Sequence, residues 1–356
     1  MDSRQRVRAA LEHREPDRTP YFEYVLLSPV ADALLGRRYC GDPVHWPELV
    51  AECGWEEAVR CNAADRLDLA LRLGHDLLYV TNNPPPPGPA VPAPPPESPT
   101  DDPVERLRRR NQRAAQDPPP ADETFAVYVR LLELMHQRGV DLPILVPAYG
   151  HGVWTDVELM QTMLLAPEVA EQHFALATRR SLGRIEKYLA LGIDLVGVGG
   201  DFSGTRPLIS PAAYRHFIVP EVRALSRRLH QAGAFAINAS DGDLWPVIED
   251  FLCGCEVDGY LEIDQYAGME LRRLKTEYGE KVCLIGNLDC GNALSFGTPE
   301  RIRQETIDCL EAGRGQGGHI LCASNAITAA VPLENYLAVV HAYREWCGLP
   351  VLELGC

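Results

Sequence analysis

Three consecutive pieces of the chain decide the fold: the run Leu195-Val196-Gly197-Val198-Gly199, the stretch 211–232 (PAAYRHFIVPEVRALSRRLHQA), and the run Ala234-Phe235-Ala236-Ile237-Asn238-Ala239. Two short apolar runs flank a long segment with helical periodicity, the signature of parallel strands joined by a covering helix. The pattern extends both ways. Toward the C-terminus, Tyr260–Ile263, Val282–Gly286 and His319–Ala323 read as strands, between helices Leu244–Leu252, Glu270–Tyr278, Pro299–Ala312 and Leu333–Trp346. Toward the N-terminus, Leu142–Ala148, Asp76–Thr81 and Thr19–Tyr24 read as strands. The helices there are Pro167–Gly192, Asp156–Met163, Glu123–Arg138, Trp46–Leu73, Ser28–Leu35 and one running from a cap at Asp2 or Ser3 to His13. Eight alternating units in 356 residues predict an α/β protein of the (β/α)8 TIM-barrel type, a single domain over residues 1–356. A doubly wound open sheet is the runner-up, but no GxGxxG turn follows the first strand.

Residues 82–120 interrupt the rhythm. They are dense in proline, including Pro84–Pro87, with Arg106–Arg110 in the middle. Such a stretch has little apolar side chain to bury, and proline cannot donate ladder hydrogen bonds. It reads as an insertion in one βα loop, with a short charged helix at Val104–Ala115. A linker between two domains is the alternative, but two preceding strands are too few for an independent sheet.

The net charge of −16 argues against a nucleic-acid or anionic-membrane partner. No run of eighteen apolar residues is present, and the opening Met1-Asp2-Ser3-Arg4 leads straight into an amphipathic pattern, so a cytoplasmic protein is expected. The 11 cysteines are scattered and odd in number, which suits free thiols.

In this architecture the loops after the strands build the active site. Polar residues at those positions are Glu23 and Tyr24, Asn82 and Asn83, Tyr149 and His151, Asp201, Asn238, Ser240 and Asp241, Glu262 and Asp264, Asn287 and Asp289, and Ser324 and Asn325. Each has a local alternative: Asp241 or Asp243 can cap the helix near Leu244, and Asp201 can hold a turn. Several carboxylates on one rim must be protonated, paired or bound to a cation. His151, flanked by glycines past a strand end, is the acid–base candidate among the histidines, and His319 at a strand start is structural. Arg206 is the nearest cation.

The opening Arg6-Val7-Arg8-Ala9-Ala10-Leu11-Glu12-His13-Arg14-Glu15-Pro16-Asp17-Arg18-Thr19-Pro20 resembles the N-terminal signature of uroporphyrinogen decarboxylase-like proteins. Asp201 with Pro207-Leu208-Ile209-Ser210-Pro211, Ala239-Ser240-Asp241-Gly242-Asp243, Gly286-Asn287-Leu288-Asp289, Gly297-Thr298-Pro299-Glu300 and Val331-Pro332-Leu333-Glu334-Asn335 resemble further motifs of that superfamily. The resemblance implies the same barrel and two chemistries. Decarboxylases grip a tetrapyrrole with arginines after the first strand; here that segment reads Phe22-Glu23-Tyr24-Val25-Leu26-Leu27-Ser28-Pro29, without arginine. Methyltransferases of the superfamily hold zinc with a His-x-Cys pair and a further Cys, and the matching positions here are Ala239, Asp241 and Asn325. A thiolate-type zinc site is therefore not expected; Asp241, Glu262 and Asn325 offer oxygen to a harder metal.

The expected function is a small-molecule methyltransferase, corrinoid-linked or of the O-demethylase type, acting on a neutral or cationic methylated substrate with a corrinoid protein as partner. Asp201, Asp241, His151 and Tyr149 are the expected catalytic groups; Glu23, Tyr24, Asn238, Glu262, Asn287, Asp289 and Asn325 the expected substrate contacts. A decarboxylase of a porphyrinogen or other carboxylic acid is the first alternative, and a non-catalytic binding barrel presenting Pro84–Pro87 and Pro94–Pro96 the second. The resemblance also implies a homodimer.

Overall fold

A computed structural model describes residues 1–88 and 102–352. Seven parallel strands run in chain order through one curled sheet: β1 (Leu78–Tyr79), β2 (Ile144–Pro147), β3 (Leu195–Gly197), β4 (Phe235–Ala239), β5 (Gly259–Leu261), β6 (Cys283–Ile285) and β7 (His319–Ile320). The register is continuous, with Leu145 beside Leu195, Val196 beside Ala236, Ile237 beside Gly259 and Leu261 beside Ile285.

The expected strand Thr19–Tyr24 is instead a bridging segment. Tyr21 and Leu26 make single parallel bridges to Leu321 and Ile327, and the Asp76 N–H donates to the Tyr21 carbonyl at 2.7 Å. These contacts reach β7 on one side and the approach to β1 on the other. Pro20 supplies a carbonyl to Leu321 but has no N–H to extend the ladder.

Side chains alternate across the sheet, as the pleat requires. Leu145, Leu195, Ile237, Leu261, Ile285 and Ile320 form an inner cluster, plugged at the strands' N-terminal end by Val7, Ala10 and Leu11 of the Ser3–Leu11 helix. Their neighbours Val146, Val196, Ala236, Tyr260, Leu284 and Leu321 belong to the outer cluster under the helices.

One expected helix is broken and another distorted, each for an identifiable reason. Trp46–Leu73 divides into Trp46–Cys53 and Trp55–Leu73 at Gly54, whose φ of 84° leaves the helical region. The stretch 211–232 carries a wide turn at Tyr214–Ile218 before the Val219–Gln231 helix. Pro220 cannot donate to a carbonyl one turn earlier, and the ladder shifts there. Leu244–Leu252 is helical from Trp245 to Gly254, tight at Trp245–Val247 and wide at Asp250–Gly254.

Within the proline-rich segment, the charged helix spans Pro103–Ala114 and packs on Val157–Leu165 and Pro167–Ala190. Buried Asn111 fastens it, donating to the Val169 carbonyl at 2.9 Å. Pro94–Pro96 lies outside the described residues. Among the described residues no helix is long and apolar enough to cross a membrane, and the described cysteines are free.

Candidate active site

Past the C-terminal ends of the strands lies an open basin of about 520 Å³, lined by Asp201, Asp241, Asp264, Asp289, Cys290 and Asn325 among others. A smaller chamber of about 140 Å³ lies inside the ring of strands, lined by Tyr24, Tyr79, Asp201, Ala239, Leu261 and Glu262 among others. Asp201 borders both. A hollow of about 710 Å³ lies elsewhere on the surface, and one of about 740 Å³ lies past the ends of β1 and β2, lined by Asn82, Asn83, Tyr149 and Arg184 among others. Among their charged groups Arg60 pairs with Glu57, Arg130 with Glu133 and Arg180 with Asp117, while Arg184 donates to the Ala148 carbonyl at 3.1 Å.

Two glycines let the loops after β3 and β4 close on each other. A Cβ at Gly242 would stand 2.5–2.6 Å from the backbone of Ser203 and Gly204, and its φ is 86°. One at Gly199 would meet the Asn238 Oδ1 at 2.0 Å. With the loops this close, the Asp201 Oδ1 accepts a hydrogen bond from the Asp241 N–H at 3.0 Å. Asp243, not Asp241, holds the local turn, accepting from the Trp245 N–H at 3.0 Å. The Asp241 carboxyl is free for the basin, where the Asn325 side-chain amide donates to its Oδ2. These are two of the positions that the resemblance matched to metal ligands, and they do meet in space.

Burial is the largest effect on Asp241 and the Asp201 charge the next, together pushing its carboxyl up to about 7 against the Asn325 hydrogen bond. Glu262 is pushed well above the ordinary carboxylate range, first by burial and then by the charges of Asp241 and Asp201. The Tyr24 hydroxyl opposes this by hydrogen bonding to it. Both directions follow from taking like charges out of water together.

Glu262 reaches the chamber by an unusual route. Leu261 already faces inward, so regular alternation would turn Glu262 toward the helices. Its φ of 69° breaks the alternation and brings both residues to the chamber wall. A non-glycine residue in this region costs about 1–3 kcal/mol, and such strain concentrates at functional positions.

Of the other expected site residues, Asn238, Asn287, Glu23 and His151 turn away from both cavities, which corrects their placement, while Tyr149 and Asp289 border them. Asn238 lies between inward Ile237 and Ala239; it donates to the Phe251 carbonyl at 3.1 Å. Asn287 is buried against Met269 and Cys309. Glu23 accepts from the Ala323 N–H at 3.0 Å, leaves Oε2 unpartnered, and is pushed up to about 8 by burial. Tyr149 borders the chamber, but its hydroxyl turns to the layer holding Thr178, Glu221 and Cys255. His151 is buried against Phe202 and accepts from the Val153 N–H at 3.4 Å; burial lowers it to about 4, so it is neutral. It fixes the loop rather than facing the basin. Asp289 does line the basin, but its oxygens accept from the backbone N–H groups of Asn292 and Ala293. Arg206 is exposed and lies outside both linings.

Tyr79, Cys290 and Trp154 line the site without having been expected. For Tyr79 a signal existed, since it follows inward Leu77 by two residues in the β1 region. Among the described residues, no group of three or more His, Cys, Asp or Glu is arranged to hold a metal ion.

Curled parallel sheet, covering helices and a carboxyl-lined mouth at the C-terminal strand ends together define the barrel-type class whose chemistry sits in the βα loops. The uroporphyrinogen decarboxylase (URO-D) family model matches residues 148–346, more than half of the chain, and the chain belongs to that family. A methylated-thiol–coenzyme M methyltransferase of Methanosarcina mazei is 27% identical over 145 residues, 41% of this chain and 36% of that protein. A uroporphyrinogen decarboxylase of Pseudoalteromonas translucida is 39% identical over 72 residues, 20% of each chain. These matches span roughly a third or less of the relatives' own length. The solved structure of a methyltransferase from Methanosarcina mazei superposes with a TM-score of 0.69 over 97% of this chain and 99% of that one, at 18% identity, a likeness of fold.

Proposed function

We propose that this chain is a methyltransferase on a (β/α)8-type barrel, taking a methyl group from a small neutral or cationic substrate bound between Asp241, Asn325 and Glu262. One observation carries the reading: Asp241, raised to about 7, stands over the mouth beside Asp201, and no guanidinium lines either cavity. An acid poised near neutrality suits proton transfer, and a site without Arg suits a substrate that is not a carboxylate.

The bond between the methyl carbon and its nitrogen or oxygen breaks, and the carbon bonds to the acceptor's nucleophile. The bonding pair stays on the heteroatom. When that atom is oxygen, the Asp241 proton goes to it and the carboxylate remains beside the Asn325 amide. Asp201 holds the Asp241 loop in place through the 3.0 Å hydrogen bond to its N–H. A corrinoid carried by a partner protein would be the acceptor in this reading and would supply a strongly nucleophilic cobalt. The exposed rings of Trp154 and Tyr266 at the lip of the basin support this reading, because they offer apolar faces against which a flat macrocycle would pack.

The test is a reduced-cobalamin assay with a panel of methyl ethers, methylated thiols and methylamines. The expected result is a donor-dependent change in the cobalt spectrum, reduced about 100-fold or more in Asp241→Asn when the donor is an ether, whose leaving oxygen takes the Asp241 proton. No change with any donor overturns the reading. Tight binding of a polycarboxylic porphyrinogen would replace it with decarboxylation.

A further inference from the structure

We propose that the inner chamber is a subsite for a small alkylammonium group, held by Glu262 and Asp201 together with the rings of Tyr24 and Tyr79. The proposal rests on the methyl-transfer reading above and narrows its substrate to a methylated amine.

The chamber's wall chemistry argues for this class. Its acidic side chains are Asp201 and Glu262, and neither Lys, Arg nor His lines it. The Tyr24 and Tyr79 rings stand 4.4 Å apart between centroids at 57°, a corner rather than a flat stack. Leu145, Ile237 and Leu261 complete an apolar surround. An alkylammonium carries a diffuse positive charge under a skin of methyl or methylene groups. It satisfies carboxylates, aromatic rings and aliphatic walls at once, which is how aromatic cages select such ions. A bound cation favours the charged form of Glu262, which burial otherwise holds toward its neutral form, whereas an ether or an anion does not.

Size agrees. A water occupies about 30 Å³ of liquid, so 140 Å³ accommodates about four or five non-hydrogen atoms. That is the scale of a trimethyl- or tetramethylammonium ion. Glu262 supplies an independent pointer. Its carboxyl, 7% exposed as a residue, is brought to this chamber by a left-handed backbone that an L-residue rarely adopts. A purely structural acid would not need that turn, because the regular strand conformation would carry it into the helix layer.

The experiment is calorimetric titration of the full chain with tetramethylammonium chloride, against tert-butanol as a neutral match in shape and potassium chloride as a salt control. Saturable binding of tetramethylammonium alone is expected. Glu262→Gln is expected to weaken it about tenfold or more, Tyr79→Leu by a similar factor, and Tyr79→Phe by less than about threefold. Thermal melts of each variant establish that it is folded. Equal binding of tert-butanol, or no saturable tetramethylammonium binding by folded wild-type protein, overturns the proposal. Methyl transfer from an ether or thiol without ammonium binding would sink this inference and leave the methyltransferase reading standing. Ammonium binding that Glu262→Gln abolishes, with no donor active in the cobalamin assay, would do the reverse.

Discussion

The two ends of the strand ring treat buried carboxylates in opposite ways. At the N-terminal end, Asp76 is fully buried and saturated. It accepts from Arg6 Nη1 at 2.7 Å, from Arg18 at 2.6 and 2.9 Å, from the Tyr21 N–H at 3.1 Å and from the Ser3 hydroxyl at 3.0 Å. Arg6 also holds Asp17, whose pKa falls well below the usual carboxylate range mainly through that hydrogen bond. At the C-terminal end, Asp201, Asp241 and Glu262 share a mouth with no guanidinium, and two of them are held toward their neutral forms. Paired charge makes one end rigid, whereas the other gathers carboxyls without a cation, an arrangement that costs stability and marks a candidate functional site.

The sharpest way to break this contrast is Asp76→Ala. It strands Arg6 and Arg18 without their shared partner and is expected to destabilise the protein by about 3–5 kcal/mol in urea unfolding. Turnover per folded molecule should hardly change. Gly242→Ala attacks the other end through the backbone. The new Cβ would overlap Ser203 and Gly204 at a φ of 86°, an expected loss of about 1–3 kcal/mol, with activity falling further because the Asp201–Asp241 contact opens.

Asp241→Asn gives a smaller effect with a defined sign. In the folded protein the Asp241 carboxyl keeps its proton up to about pH 7, while an unfolded aspartate loses it near pH 4. Between these values the folded state binds more protons, so its stability falls as pH rises. The asparagine variant should lose that slope, a difference of about 1 kcal/mol over the window once partial exposure is discounted. Glu23, raised to about 8, contributes a slope of the same sign to both proteins and cancels in the comparison. Smallest of all, Asp141→Ala removes an exposed partner of Arg4, and less than about 1 kcal/mol should go with it, vanishing at high salt.

Much of this was legible in the sequence. Strand–helix alternation located seven strands because β-branched and leucine runs bounded by helical periodicity have few other readings. Thr19–Tyr24 was misread because it has strand composition, while the decisive feature is what Pro20 cannot donate. The position of Asp201, Asp241 and Asn325 at the mouth was legible because each sits just past a strand end. Asn238 and Asn287 were overcounted because nearness to a strand end says nothing about which face a residue takes. For Asn238 the parity with Ile237 and Ala239 carried that information and could have been used. Glu262 marks the limit of such reasoning: alternation sends it outward, and only its backbone dihedral brings it in. Gly242 is similar, since a glycine in Asp241-Gly242-Asp243 reads as a turn, while its closeness to the loop after β3 is a tertiary fact.

The most direct measurement is a carbon-13 NMR titration of the Asp241 carboxyl in wild-type protein and in Asp201→Asn. A midpoint near 7 that moves down when the neighbouring charge is removed is the result expected of carboxyls that share one unpaired mouth. A midpoint near 4 in both proteins would contradict it, because Asp241 would then titrate like an isolated, solvated side chain.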